Sequence, residues 1–363
     1  MSGSSKAVPP VPMTELNVPA AAVPRPGMTD RALGALTGLA IGDAMGMPTQ
    51  AMRPADILAD YGPITRLTAA GPRQLIAAGM PAGAVTDDTE QAMLLARLLI
   101  AGDGHVDPLV FADALVRWEQ EMAAKGSLDL LGPSTRAAVR RLAAGVPAAE
   151  AGRDGATNGA AMRIAPVGLA TPPSPLPALV DAVVEASMVT HNTSIGLAAA
   201  AAVAAAVSAG VEGGSRADTI EIAIAAADSA ARRGRWVPGG QIAPRIAWVT
   251  ARLACVAPAA WADELDAIVG TGVPAQESVP AAFGILAVAP SAWDAVCLAA
   301  SVGGDTDTIG AIVGSIAGAL TGMSAWPADT VQCVEEVNAL DLAPTVTGLL
   351  RLRTRARQRP VTA

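Results

Sequence analysis

One all-α domain, a compact orthogonal bundle of many helices, is the fold this sequence predicts, and three observations predict it. Almost every long segment spaces its apolar residues at helical period. Alanine and leucine, both strong helix formers, dominate those segments. Alternating runs rich in β-branched residues, the mark of strands, are nearly absent, while glycine and proline punctuate the chain at short intervals.

In chain order, residues 1–27 carry six prolines and no apolar run after a basic start, which reads as a disordered extension and not a signal peptide. The clearest helical segments follow at residues 31–41, 90–100, 108–122, 178–188, 195–209, 219–232, 292–301 and 309–320. From 28 to 350 no break in composition marks a linker, and no repeat of 20–50 residues is visible, so a single domain is the economical reading. Residues 351–363 form an Arg-rich tail with Arg351, Arg353, Arg355, Arg357 and Arg359 at alternate positions. It reads as a solvated helix end in preference to an anion-binding arm.

Apolar residues make up 52% of the chain and the mean hydropathy is +0.40, figures that taken alone suggest a membrane protein. Much of the apolar content is Ala, and two segments could mislead a hydropathy scan. The Ala-dominated run 195–207 is 13 residues long, too short to cross a bilayer. The run 309–328 is uncharged over 20 residues, with Gly310, Gly314 and Gly318 spaced like a membrane packing face. Asp305 and Asp307 sit directly before it, however, and small residues every four positions also let soluble helices approach closely. A buried helix is expected in both places, with no membrane partner.

Charge and composition exclude further classes. With 33 acidic against 25 basic residues the net charge is −8, opposite in sign to a nucleic-acid binder. Aromatic residues are 2% of the chain, too few for a base-stacking platform. Cys255, Cys297 and Cys333 lie far apart and form no C-x-x-C pair, which argues against a disulfide framework or a zinc site and suits the reducing cytoplasm. The lysines, Lys6 and Lys125, follow no Gly-rich loop, and His105 and His191 make no H-E-x-x-H site.

Two stretches stand out. Thr86-Asp87-Asp88-Thr89 immediately precedes the helical run 90–100, and Gly303-Gly304-Asp305-Thr306-Asp307-Thr308 precedes 309–320. Helix capping explains one such residue at each place. Each stretch supplies four, and carboxylates gathered among apolar helices repel one another unless a cation lies between them. Hard oxygen donors of this kind select Mg²⁺, Ca²⁺ or Mn²⁺. On spacing alone both readings, cap and cation site, stand.

The pairing of these two stretches some 200 residues apart resembles the ADP-ribosylglycohydrolase family, which includes the dinitrogenase-reductase-activating glycohydrolases. Three further matches come in the same order: residues 34–46 (GALTGLAIGDAMG) resemble its first helix and Gly-Asp-Ala turn, Asn158–Arg163 its central Asn-Gly segment, and His191 its pocket histidine. The resemblance covers roughly residues 28–350. It implies an all-α fold with a two-magnesium site in a central cleft, Mn²⁺ being an alternative, and hydrolysis of the glycosidic bond at the anomeric carbon of ADP-ribose on a protein or small acceptor. Carried over, Thr86, Asp87, Asp88, Asp305, Asp307 and Thr308 become the metal ligands. Asp88 and Asp307 become candidates to take the proton of an attacking water. Asn158, Gly159, Met162, Arg163, His191, Gln50 and Gly304 would line the substrate side, with Asp43 orienting the metal site.

Two departures bear on the substrate. Gln50 stands where some relatives carry a glutamate, and it cannot act as a general base. Asp129, the candidate acid before Gly132-Pro133-Ser134-Thr135, is displaced by one position from the pattern of others. A hydrolase that cuts a smaller N-riboside at the same site is therefore an alternative, motivated by Gln50 and the scarcity of aromatics. A non-catalytic helical member of the family is the third reading.

Overall fold

The computed structural model describes residues 27–125 and 131–358. The helices of eight or more residues are α1 (Met28–Gly46), α2 (Pro54–Tyr61), α3 (Asp87–Ala101), α4 (Pro108–Ala124), α5 (Pro133–Ala143), α6 (Leu176–His191), α7 (Ser194–Val211), α8 (Arg216–Ala230), α9 (Ile242–Ala254), α10 (Ala275–Val288), α11 (Ala292–Ala299), α12 (Thr306–Thr321), α13 (Ala328–Asn338) and α14 (Ala343–Gln358). No strand occurs among the described residues; three isolated bridges, Met52 with Gly304, Thr157 with Pro274 and Thr193 with Arg235, tie loops together. The all-α class read from the sequence holds.

α7 is the centre of the bundle. Every residue from Ile195 to Val211 is buried, so its alanines present smooth faces against which neighbouring helices pack closely. By length and composition this 18-residue helix is long and apolar enough to cross a membrane, longer than the 13-residue run suggested, and 94% of it is buried inside the protein. The high hydropathy is thereby a property of the core.

α1 and α12 make the closest helix contact. A Cβ on Gly34, Gly38 or Gly42 would overlap the backbone of Gly318, Gly314 or Gly310, and the reverse is true of each partner. The four-residue spacing in 309–328 is therefore a backbone-to-backbone packing stripe, as expected, and it holds the start of α12 against the end of α1. Trp326 seals the far end, its indole N–H donating to the Gly34 carbonyl at 3.0 Å.

α10 contains Pro280 in its interior, which is why the sequence pattern there is ambiguous. Proline leaves the carbonyl four residues earlier, that of Gln276, without a helical donor. The guanidinium of Arg245 on α9 fills the gap, Nε donating to Gln276 O at 2.6 Å.

The expected Arg-rich tail is in part a packed element. Arg351, Arg355 and Arg357 are exposed on α14, in keeping with a solvated helix end, but Arg353 is 1% exposed. Its guanidinium donates to the carbonyls of Gly168 (2.9 Å), Thr171 (2.8 Å) and Ser208 (3.1 Å) and to Glu212 Oε1 (2.5 Å). A boundary at residue 350 thus falls inside α14. The expected Pro-rich extension, apart from Gly27, and Arg359 lie outside the described residues.

Candidate active site

The starts of α3 and α12 meet above the end of α1. Asp43, fully buried on α1, is the post on which α3 begins. Its carboxylate accepts from Thr86 N (3.0 Å), Thr86 Oγ1 (2.8 Å), Thr89 N (3.1 Å) and Thr89 Oγ1 (2.5 Å). Burial pushes the Asp43 carboxyl up to about 6, and these hydrogen bonds oppose the rise. Asp43 thereby fixes the loop that presents Asp87 and Asp88.

Capping accounts for part of each motif and not the whole. Thr86 Oγ1 accepts from Asp88 N at 3.4 Å, an N-cap bond. Asp305 stands at the N-cap of α12, yet its side chain makes no cap bond. It receives Asn158 Nδ2 instead, at 2.5 Å, while Asn158 also donates to Ser278 Oγ at 3.0 Å. The two helix starts touch through Thr308 Oγ1, which donates to Asp88 Oδ2 at 3.3 Å.

Electrostatically the site is short of positive charge. Asp88 is 1% exposed, and its Oδ1 is buried with no hydrogen-bond partner. Burial, then the charges of Asp87, Asp307, Asp43 and Asp305, hold its carboxyl well above the ordinary range. Asp305 is raised by burial, with hydrogen bonds from Asn158, Thr308 and Asp307 pulling the other way. Among the described residues no three His, Cys, Asp or Glu side chains already stand in a metal-holding arrangement. The donor set is nonetheless hard oxygen throughout, and the orphaned Asp88 Oδ1 is a buried acceptor that a cation would satisfy.

Gln50, Asp87, Asp88, Asn158, Gly159, Met162, Asp305, Asp307 and Thr308 line one cavity of about 240 Å³, together with Thr135, Arg136, Thr157 and Val273. Residues from the beginning, middle and end of the chain are thus brought together as the motif reading expected.

Three predicted substrate-side residues are placed elsewhere. Arg163 is 1% exposed and does not line the cavity. Its Nη1 donates to Gln91 Oε1 (2.6 Å), its Nη2 to Thr190 Oγ1 (2.7 Å), and its guanidinium lies 5.2 Å from the centre of the Phe111 ring. Gln91 in turn donates to Asp87 Oδ2 at 2.7 Å, so Arg163 reaches the site through Gln91. His191 is fully buried behind Gly159, between Thr190 Oγ1 (2.8 Å) and Thr157 Oγ1 (2.9 Å). Burial, then the Arg163 charge, pushes its pKa well below the ordinary value, so its imidazole is neutral. Gly304 contributes backbone: with φ +72° it donates to Met52 O and accepts from Ala51 N, and a Cβ there would overlap the Thr271 carbonyl. Asp129 lies outside the described residues.

Sequence reading missed Gln91 and Ser278. Gln91 had a legible signal, since it stands one helical turn beyond Asp87. Ser278 had none, because only the tertiary fold brings α10 to Asn158.

An all-α protein with two Asp/Thr helix starts around one cleft is the class this architecture defines. The family model described as ADP-ribosylglycohydrolase matches residues 24–359, and the chain belongs to that family and is a hydrolase of its type. It is 33% identical over 336 residues to the YegU protein of Escherichia coli (strain K12), covering 90% of this chain and 98% of that one. It is 28% identical to the ADP-ribosylarginine hydrolase Tri1 of Pseudomonas putida (strain GB-1), over 84% of this chain and 74% of that one. Against the ADP-ribosyl-[dinitrogen reductase] glycohydrolase of Rhodospirillum rubrum it is 34% identical, over 48% and 55%. A solved chain from an ADP-ribosylglycohydrolase-related protein complex superposes with a TM-score of 0.66 at 28% identity, over 91% of this chain and 99% of that one.

Proposed function

We propose that the protein releases ADP-ribose from a modified protein side chain or small acceptor by Mg²⁺-dependent hydrolysis of the bond at the anomeric carbon. The observation that carries this reading is the orphaned Oδ1 of Asp88, buried among four other aspartates. Thr86, Asp87, Asp88, Asp305, Asp307 and Thr308 are the residues that would hold two Mg²⁺ ions, with Mn²⁺ as a substitute. Bound there, the ions supply charge stabilisation and a water of lowered pKa.

The protein's own contribution is placement. Asp43 holds Thr86 and Thr89, Asn158 holds Asp305, and Gln91, itself held by Arg163, holds Asp87. Asp88 is one candidate to take a proton from an attacking water. Asp307, whose Oδ1 accepts from Thr308 N at 2.9 Å, is the second candidate. The names of the Rhodospirillum and Pseudomonas relatives support an ADP-ribosyl group as the one released, and the Pseudomonas name joins it to arginine.

The test compares ADP-ribosyl-arginine with a panel of free nucleosides in the presence of Mg²⁺. Release of ADP-ribose supports the proposal. Release of ribose from nucleosides alone refutes it in favour of an N-ribosyl hydrolase. Calorimetry with MgCl₂ on the wild type and Asp305→Ala addresses the non-catalytic reading, which requires that neither binds the ion.

A further inference from the structure

Gln50 sits between α1 and α2 with its backbone fixed on every side. The preceding Thr49 sends its hydroxyl to the carbonyls of Gly46 (3.0 Å) and Ala300 (2.8 Å). Gln74 Nε2 donates to the Gln50 carbonyl at 2.9 Å. The following Ala51 adopts a left-handed conformation, φ +57°, which is unfavourable for a residue with a Cβ, while its N–H donates to Gly304 O at 2.6 Å. This strained turn holds Gln50 4% exposed in the wall of the cavity that Asp87, Asp88, Asp305 and Asp307 also line.

The side chain placed with such constraint is incomplete. Its Nε2 is buried and has no hydrogen-bond partner in the protein. Leaving an amide donor buried and unpaired is costly, and such groups are few in folded proteins. A bound molecule that offers an oxygen acceptor removes the cost. A sugar hydroxyl suits this place, because it accepts from the amide and can itself donate outward to a neighbouring carboxylate.

We infer that Gln50 is a specificity-determining residue whose amide donates to a hydroxyl of the bound ribosyl group, and that no proton transfer passes through this position. The inference rests on the ribosyl ligand of the proposed function. Its test separates binding from hydrolysis.

Wild type, Gln50→Leu and Gln50→Glu are titrated calorimetrically with ADP-ribose and with adenosine in the presence of Mg²⁺, and their Tm values and steady-state constants are measured. Gln50→Leu should bind the ribosyl ligand about three- to tenfold more weakly, the range for one lost neutral hydrogen bond, with Tm near wild type. Gln50→Glu keeps the shape, removes the donor and adds a carboxylate, so it should bind at least as weakly and show the loss in KM. Wild-type affinity in either variant overturns the inference. So does a Gln50→Glu enzyme with raised kcat at unchanged KM, the signature of a proton-transfer position. A wild type that binds neither ligand removes both the inference and the hydrolase reading. Binding without hydrolysis of ADP-ribosyl-arginine removes that reading alone and leaves the donor role of Gln50 standing.

Discussion

Gly42→Ala is the smallest change that tests how the fold holds its site. Gly42 on α1 faces Gly310 on α12, and an added methyl would overlap the Gly310 carbonyl. Both partners are backbone, so no side chain can rotate away. In an isolated helix the substitution would stabilise by about 1 kcal/mol, because alanine is the better helix former. Overpacking a close contact costs roughly 1–3 kcal/mol, and with nothing to yield the upper end applies. The net expectation is a loss of about 2 kcal/mol, or about 3 °C in Tm for a domain of this size. Moving α12 away from α1 also moves Asp305, Asp307 and Thr308 relative to Asp88, and the 3.3 Å Thr308–Asp88 bond breaks. Mg²⁺ affinity should therefore fall with stability. Thermal unfolding followed by circular dichroism, together with calorimetric titration of MgCl₂, measures both, with Gly27→Ala as a control because nothing lies within 4 Å of the added carbon. A Gly42→Ala protein with wild-type or higher Tm would refute the argument that the glycine stripe sets the spacing of the site.

Asn158→Ala removes the donor that holds Asp305 and should lower Mg²⁺ affinity roughly tenfold, the lower end for loss of a group that orients a metal ligand, with little change in Tm. Arg163→Lys breaks the fork joining Gln91 to Thr190 without touching the cavity. It should reduce kcat/KM while leaving the Kd for ADP-ribose within about twofold, because a lysine cannot reproduce the two-pronged geometry; a tenfold loss of ADP-ribose affinity would mean that Arg163 meets the ligand after all. Arg353→Leu removes a donor from the carbonyls of Gly168, Leu169, Thr171 and Ser208 and leaves Glu212 with Arg357. Urea unfolding should show a loss of about 3–5 kcal/mol, because each buried carbonyl left without this donor costs about 1–3 kcal/mol.

Periodicity in the sequence was enough for α1, α3, α4, α6, α7, α8, α11 and α12, because each buries a continuous stripe of apolar or small residues. α9 and α10 escaped it for a local reason: Pro244 and Pro280 interrupt their patterns, and the Arg245 bond that rescues the Gln276 carbonyl exists only once the two helices pack. α14 escaped because its arginines imitate a solvated tail, although one of them is enclosed by carbonyls from residues 168–171 and 208. At the site, the aspartates and threonines were legible because two unusual tetrads so far apart in sequence are hard to explain separately. The direction of Arg163 and His191 was not legible. A motif states that a residue is near a site, while burial and partners decide whether it faces the ligand or braces the wall behind it.

On the proposed function, the same geometry makes folding and ion binding parts of one equilibrium. α1–α12 packing and the Asp43 hydrogen bonds force four further carboxylates together whether or not a cation is present. Asp88 shows the consequence in its unpaired Oδ1 and its raised affinity for a proton. An ion bound only to the folded state stabilises it by RT ln(1 + [L]/Kd), about 2.7 kcal/mol at a hundredfold excess over Kd. Tm should accordingly rise with MgCl₂ and fall on chelation. Asp88→Asn supplies the sign check, since it removes one of the mutually repelling charges and one ligand oxygen. In chelator its Tm should equal or exceed that of the wild type, and in MgCl₂ it should fall below. If the four aspartates and two threonines did nothing but cap helices, the two Tm values would keep the same order in both media. A crossing of that order is the result that separates a cation site from a pair of overbuilt helix caps.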